Sequence, residues 1–136
     1  MKNQGHAFAL AAGIQAAKGE IVAATDADTV VSRNWLNMIE RAFRDKKVVA
    51  VTGAVAYDTS NELFHEWVRR SSYYGYLFYQ RLHFAIGKTL VVGNNLAVRR
   101  SAYDEISGID TRYEIFSDQE LGWRIKKAGK APAKRM

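Results

Sequence analysis

The sequence has no cysteine among its 136 residues. A disulfide framework and a thiolate metal site are therefore excluded, and any metal ion must be bound through oxygen or imidazole ligands. No apolar run approaches the roughly twenty residues that a membrane-spanning helix needs, and no signal peptide is recognisable. Repeats and low-complexity segments are also lacking. These absences favour a soluble globular protein, for which we expect a cytoplasmic location.

Charge and length narrow the class of protein further. Twenty Lys and Arg residues stand against fourteen Asp and Glu residues, and the net charge of +6 favours anionic partners. Nucleotide phosphates, nucleic acid and an acidic membrane surface all satisfy that condition. The length suits one hydrophobic core but not two. We therefore predict a single domain over residues 1–136.

Helix and strand patterns alternate along the chain. Apolar residues at helical spacing predict helices over 5–18, 32–44, 63–85 and 101–106, and a last helix that begins at Ser117 and ends near Gly129. Ser32 is a candidate N-cap, and Glu120 is spaced for a capping box with Ser117. Strands are predicted at 20–25, at 46–58 with a break at Gly53, and on both sides of a tight turn within 89–100. This alternation is typical of an α/β fold with a partly parallel sheet.

The stretch "IVAATDADTVV", residues 21–31, carries the clearest chemical signal. A buried-type strand runs directly into Asp26 and Asp28, whose like charges are costly unless a positive group lies between them. Mg²⁺ or Mn²⁺ often supplies that group, because it prefers oxygen ligands and keeps positions open for substrate phosphates. A turn that includes Thr29 would explain the same residues without a metal. The carboxyl ends of strands are where α/β sheets bind ligands, which supports the metal interpretation.

Three segments resemble, in this order, family-2 glycosyltransferases with the A-type nucleotide-sugar fold. They are "KNQGHAFALAAGIQAAKGEIVAATDADTVVSRNWL", "VVGNNLAVRRSAYDEISGID" and "SDQELGWRIKKAGK". In that family an Asn-x-Gly helix precedes a strand ending in Asp-x-Asp, a Gly-Asn-Asn-type turn leads to a helix and a Gly-Gly-x-Asp-like segment, and a Glu-Asp-x-Glu-Leu motif opens a late helix. The resemblance implies a Rossmann-like α/β core with a mixed sheet flanked by helices.

The resemblance also implies roles for individual residues. Asp26 and Asp28 match the Asp-x-Asp pair, which would hold a divalent cation against the diphosphate of a nucleotide sugar, with Asp28 as the direct ligand. Asp118 matches the general base that takes a proton from an acceptor hydroxyl in an inverting displacement. Asn94 and Asn95 match the region that shapes the donor-sugar and acceptor pocket. The simpler alternatives are a helix-start acid at Asp118 and a plain turn at the two asparagines.

The chain also departs from the family pattern. Ser117 replaces a Glu, the Gln-x-x-Arg-Trp motif of processive synthases has no counterpart, and the nucleoside-binding half that begins the family fold is not recognisable. We therefore expect the chain to represent the metal- and acceptor-binding part of the core and to transfer sugar slowly or not at all by itself. Ile21 to Thr25 would then form an open sheet edge, for which we expect pairing with a second copy.

Other interpretations stay open at this stage. A truncated, non-catalytic fragment could act as an interaction module, and Asp-x-Asp-x-Val also begins haloacid dehalogenase-type phosphatases, although only Asp110 and Asp118 follow it. The aromatic stretch 67–84 is more typical of core than of an acceptor platform. Its neighbours Arg69, Arg70, Arg81 and Lys88 could meet lipid phosphates at the inner face of a membrane, where a saccharide or lipid-linked acceptor would lie. His6, His65 and His83 receive no ligand role.

Overall fold

The computed structural model describes residues 5–59, 62–85, 91–113, 116–128 and 134–135. A short 3₁₀ turn, Gly93–Asn95, precedes the third strand. The helices and strands in chain order are α1 His6–Ala16, β1 Ile21–Ala24, α2 Trp35–Phe43, β2 Ala50–Thr52, α3 His65–Ala85, β3 Leu96–Arg99, α4 Arg100–Glu105, α5 Ser117–Lys127 and β4 Lys134–Arg135. The first residues of the strand expected before the turn, 89–90, lie outside the described residues, as do Lys88 and the expected helix end at Gly129, and the described part of that segment, Val91 and Val92, forms no strand. Within the described part, no helix has both the length and the apolarity to cross a membrane.

The strands form one mixed sheet in the order β1-β3-β2-β4. β3 runs antiparallel to both of its neighbours, with Ile21 opposite Arg99 on one side and Ala50 opposite Val98 on the other. β2 and β4 are parallel. The predicted α/β class with a partly parallel sheet is thus confirmed, and β1 stands at the edge of the described sheet.

Helices cover both faces of this sheet. Leu96 and Val98 of β3 pack with Ile14 of α1 and with Leu121 and Ile125 of α5. Ala97, which points the opposite way because strand side chains alternate, packs with the α2 residues Ile39 and Phe43. A strand with apolar neighbours on both faces needs no polar alternation, which explains the uninterrupted apolar run with which β3 begins.

Arg99, the last residue of β3, and Arg100, the first residue of α4, bond to the C-terminal ends of helices on the two faces of the sheet. Arg99 donates from Nη2 to the carbonyl oxygen of Phe43, at the end of α2, over 2.8 Å. Arg100 donates from Nη2 to the carbonyl oxygen of Ala17, just past α1, over 2.5 Å. The last carbonyls of a helix have no partner within the helix, and cations near them are stabilising. This dipeptide therefore sets where α1 and α2 end relative to the central strand.

The helix starts differ from the sequence predictions. α2 begins without a side-chain cap bond, because the Ser32 hydroxyl donates to Asn34 Oδ1 over 2.9 Å instead. α5 forms no capping box, because Glu120 accepts from Arg124 Nε over 2.5 Å. Both cap predictions are therefore wrong. In each case a nearby polar partner takes the side chain that the motif would use.

The interpretation of the aromatic stretch as core is also wrong. α3 is a single helix, as the apolar spacing predicted, but Trp67, Tyr74 and Phe78 are 69%, 64% and 70% exposed. Leu77 and Gln80 on the opposite face are buried. The helix thus turns a polar Gln inward and aromatic rings outward, the reverse of an ordinary amphipathic helix.

Candidate functional site

The carboxyl end of β1, the turn before β3 and the start of α5 meet around one open cleft. Its volume is about 350 Å³. Three residues predicted from the sequence as site residues, Asp26, Asn94 and Asp118, line it. The remaining lining residues are His6, Val92, Gly93, Phe116, Ser117 and Gln119. The cleft therefore joins side chains that are far apart in the sequence.

Asp118 is held in the first turn of α5 by two backbone N–H groups. The N–H of Gly93 donates to its Oδ2 over 2.6 Å, and the N–H of Gln119 donates to its Oδ1 over 2.8 Å. Phe116, at the N-cap position, has the left-handed φ of 66° that turns the chain into this helix. Such a φ is uncommon for a non-glycine residue and clusters at functional sites. Each Asp118 oxygen keeps further acceptor capacity toward the cleft.

Asp26 lies near the imidazole of His6 in the cleft. His6 Nε2 lies 3.7 Å from Asp26 Oδ1, and both side chains are about half exposed. A Cβ built on Gly93 would lie 3.7 Å from His6 Cε1 and 3.6 Å from Asp118 Oδ2. His6 and Asp118 therefore both lie next to Gly93, so the residue that neighbours Asp26 and the carboxylate of α5 are close to each other in the cleft.

Sequence reasoning missed His6, although a signal for it existed. α1 leads into β1 through a short loop and packs on the sheet, so its first residue lies near the end of β1 that carries Asp26. A histidine at the start of a helix that precedes an Asp-bearing strand could have been flagged on this ground. His65 and His83 lie on α3 and do not line the cleft.

The two predicted asparagines have different surroundings. Asn94 lines the cleft, and its buried Oδ1 has no hydrogen-bond partner among the described residues. Asn95 accepts from Trp35 Nε1 over 2.9 Å and donates to the carbonyl oxygen of Ala54 over 3.0 Å. Asn94 thus keeps an unpaired acceptor in a residue of the cleft wall, whereas the Asn95 amide joins α2 to the segment after β2.

Asp28 does not line the cleft. It lies in the exposed turn after β1, whereas Asp26 lies in the cleft wall. Asp110 is also absent from the lining, and hydrogen bonds from Arg112 hold the pKa of its carboxyl down at about 2. The structure therefore offers no second carboxylate pair of the kind that a haloacid dehalogenase-type site requires, within the residues described.

A divalent cation is compatible with these groups. Among the described residues, no cluster of three or more His, Asp or Glu side chains could enclose a metal ion. The cleft does offer the Asp26 carboxylate with His6 beside it, and Mg²⁺ and Mn²⁺ are commonly bound through one or two carboxylates plus substrate phosphates. The donor set thus fits a cation that is completed by its substrate.

Tyr76 of α3 is a half-buried tyrosine whose phenol feels the negative charge of Asp118. Burial raises the pKa of Tyr76 to about 12, and the negative charge of Asp118 contributes in the same direction. The Tyr76 hydroxyl accepts from Gln80 Nε2 over 3.3 Å. It therefore stays protonated throughout the neutral range and is able to donate a hydrogen bond near the cleft.

The cleft thus joins a strand-end carboxylate, Asp26, and a helix-start carboxylate, Asp118, in an α/β layer fold. The profile of the family described as Glycosyl transferase family 2 matches residues 1–107, and the chain belongs to that family. The match includes His6, Asp26 and the turn before β3 but ends before Asp118. No curated protein matches the chain.

Proposed function

We propose that this domain transfers a sugar from a nucleotide-diphosphate donor to an acceptor hydroxyl with inversion at the anomeric carbon. The observation that carries the proposal is the shared cleft of Asp26 and Asp118. Membership in the family supports transfer of a sugar in general. The presence of both the Asp26 and the Asp118 carboxylates in the wall of one cavity supports the direct displacement.

Asp26 is the residue we assign to the phosphate side of the cleft. Its carboxylate, with His6 3.7 Å away, would hold Mg²⁺ or Mn²⁺ beside the donor diphosphate. When bound, such a cation neutralises charge that develops on the leaving diphosphate. Asp28 lies outside the cleft wall, so we assign it an outer role, for example toward water that surrounds the cation.

Asp118 is the residue we assign to the acceptor side. An oxygen of its carboxylate takes the proton of the acceptor hydroxyl while that hydroxyl oxygen bonds to the anomeric carbon. The bond between this carbon and the diphosphate oxygen breaks, and the nucleoside diphosphate leaves with the electron pair. The backbone N–H groups of Gly93 and Gln119 hold the carboxylate in place for this step. We assign Asn94, whose Oδ1 has no partner among the described residues, to a sugar hydroxyl of the substrates.

Binding of donors tests the proposal. Titration calorimetry with UDP- and GDP-sugars should show binding in the presence of Mn²⁺ and a loss of binding with EDTA. Asp26→Asn should weaken it by about tenfold or more, since a charged ligand to the metal is lost. Asp104→Asn, on α4 and outside the cleft lining, is the matched control and should bind like the wild type. Absence of binding by every donor would favour a non-catalytic interaction module instead.

Slow transfer by the chain alone and self-association through β1 both stay predictions. β1 ends the described sheet and exposes Ala23, so a second copy could pair with it about a two-fold axis. Light scattering across a concentration series tests this pairing, and a monomer at all concentrations would contradict it.

A further inference from the structure

We propose that the outward face of α3 docks on an anionic lipid surface. Trp67, Tyr74, Phe78 and Leu82 follow one another at intervals of seven, four and four residues, which places them on one face of the helix. The first three are about two-thirds exposed, and Leu82 is 50% exposed. We call these four residues the aromatic stripe. The proposal is independent of the chemistry in the cleft.

The orientation of α3 is fixed by its opposite face. Leu77 is buried in the protein, and Gln80 is fully buried with its Nε2 directed at the carbonyl oxygen of Gly53 over 3.5 Å. Tyr76 lies on the same side, and its partial burial raises the pKa of its phenol. If the helix rotated to bury the stripe, Leu77 and Gln80 would become exposed instead. The stripe is therefore the surface that this packing leaves toward solvent.

The apolar area that the stripe exposes is larger than that of the single apolar side chains scattered over most protein surfaces. Aromatic side chains bury roughly 150–250 Å² each, so three rings that are two-thirds exposed amount to roughly 300–500 Å². Contiguous apolar patches of this size on a soluble protein commonly mark an interaction site. Leu63 and Phe64, in the turn before α3, are exposed as well.

The charges beside the stripe are mainly positive. α3 contains Arg69, Arg70 and Arg81 but only one acid, Glu66. Glu66 Oε2 lies 2.7 Å from Arg69 Nη2, and Glu66 Oε1 lies 2.8 Å from Arg70 Nε, so one carboxylate is shared by two guanidinium groups. Arg70 and Arg81 each follow a stripe residue by three positions and thus flank the stripe. Positive charge beside aromatic rings matches anionic headgroups above acyl chains.

The shape and charge of the patch favour a lipid surface over a peptide or a second copy of the chain. No residue of α3 lines the cleft or a second cavity beside Glu20, Glu40 and Arg99, so neither cavity offers a groove for a peptide along the stripe. An antiparallel pairing of two copies centred near Gly75 would bring Arg70 against the partner's Arg81 and would be repelled. A flat interface accepts Trp and Tyr rings at headgroup depth while arginines reach phosphates.

Vesicle binding tests the proposal with the purified chain. The probes are vesicles of phosphatidylcholine alone and of phosphatidylcholine mixed with phosphatidylglycerol. We expect co-sedimentation with the anionic vesicles that weakens at high salt, and a loss of about tenfold or more in Trp67→Ala/Phe78→Ala, because two anchoring rings are removed. Trp123→Ala, an exposed ring on α5, is the matched control and should bind normally.

A second readout locates the contact. Brominated lipid tails should quench Trp67 fluorescence, and the quenching should disappear in Trp67→Phe but persist in Trp123→Phe. Absence of vesicle binding would overturn the proposal. So would equal binding by the double variant, or a dimer in solution that the double variant converts to a monomer, since the stripe would then contact a second copy. Circular dichroism of the double variant should match the wild type because both rings are exposed.

Discussion

Asp118→Asn is expected to lower the rate of sugar transfer by roughly 10²–10⁴-fold, the usual contribution of a general base. An amide cannot take the acceptor proton, and its NH₂ group would face one of the N–H groups that now donate to the carboxylate. The measurement is a single-turnover assay with high protein concentration, Mn²⁺ and a bound donor.

The same variant needs two controls. Its affinity for the donor should stay within about threefold of the wild type, because the phosphate side of the cleft is unchanged. Asp104→Asn makes the same chemical change outside the cleft lining and should transfer sugar normally. A variant that keeps the wild-type transfer rate would remove Asp118 from the mechanism and return it to the simple role of a helix-start acid.

Gly53→Ala is expected to destabilise the fold by roughly 1–3 kcal/mol, the usual cost of overpacking. An added Cβ would lie 2.6 Å from Asn95 Cγ, and the Asn95 amide is held by Trp35 and Ala54. The side chain can move aside only by giving up those hydrogen bonds. Urea unfolding, with an unchanged slope, measures the difference in free energy of unfolding.

Gly75→Ala is the matched control for that substitution. Gly75 lies inside α3, and nothing stands within 4 Å of the position its Cβ would take. Alanine there should stabilise the fold by about 0.5–1 kcal/mol, because glycine inside a helix loses more conformational entropy on folding. Equal stabilities for the two variants would contradict the packing described around Asn95.

The sequence was most informative where a local pattern decides the structure. Helical spacing located α1, α2 and α3, and the run into Asp26 marked the end of β1 to within one residue. The α/β class followed from that alternation. The family resemblance pointed to Asp26, Asn94 and Asp118, which the structure brings to one cleft, because it carries long-range information that a single segment lacks.

Contacts between distant segments set the features that the sequence did not reveal. His6 lies at the cleft through the packing of α1 on the sheet, where Arg100 bonds the carbonyl oxygen of Ala17, and the Asn95 amide is engaged by Trp35 and Ala54. The outward face of α3 was likewise hidden, since hydrophobicity does not show which side of a helix meets the core. Both cap predictions failed because Asn34 and Arg124 engage the side chains of Ser32 and Glu120, which the caps would have used.

Mn²⁺-induced broadening of backbone amide signals tests the central claim most directly, that one cleft binds the cation and the donor diphosphate. With Mn²⁺ and UDP or GDP, the broadening should centre on His6, Asp26, Gly93 and Asp118. It should vanish in Asp26→Asn and keep its centre in Asp28→Ala. Broadening centred instead on Glu20 and Glu40, which line the other cavity, would contradict the assignment of this cleft as the transfer site.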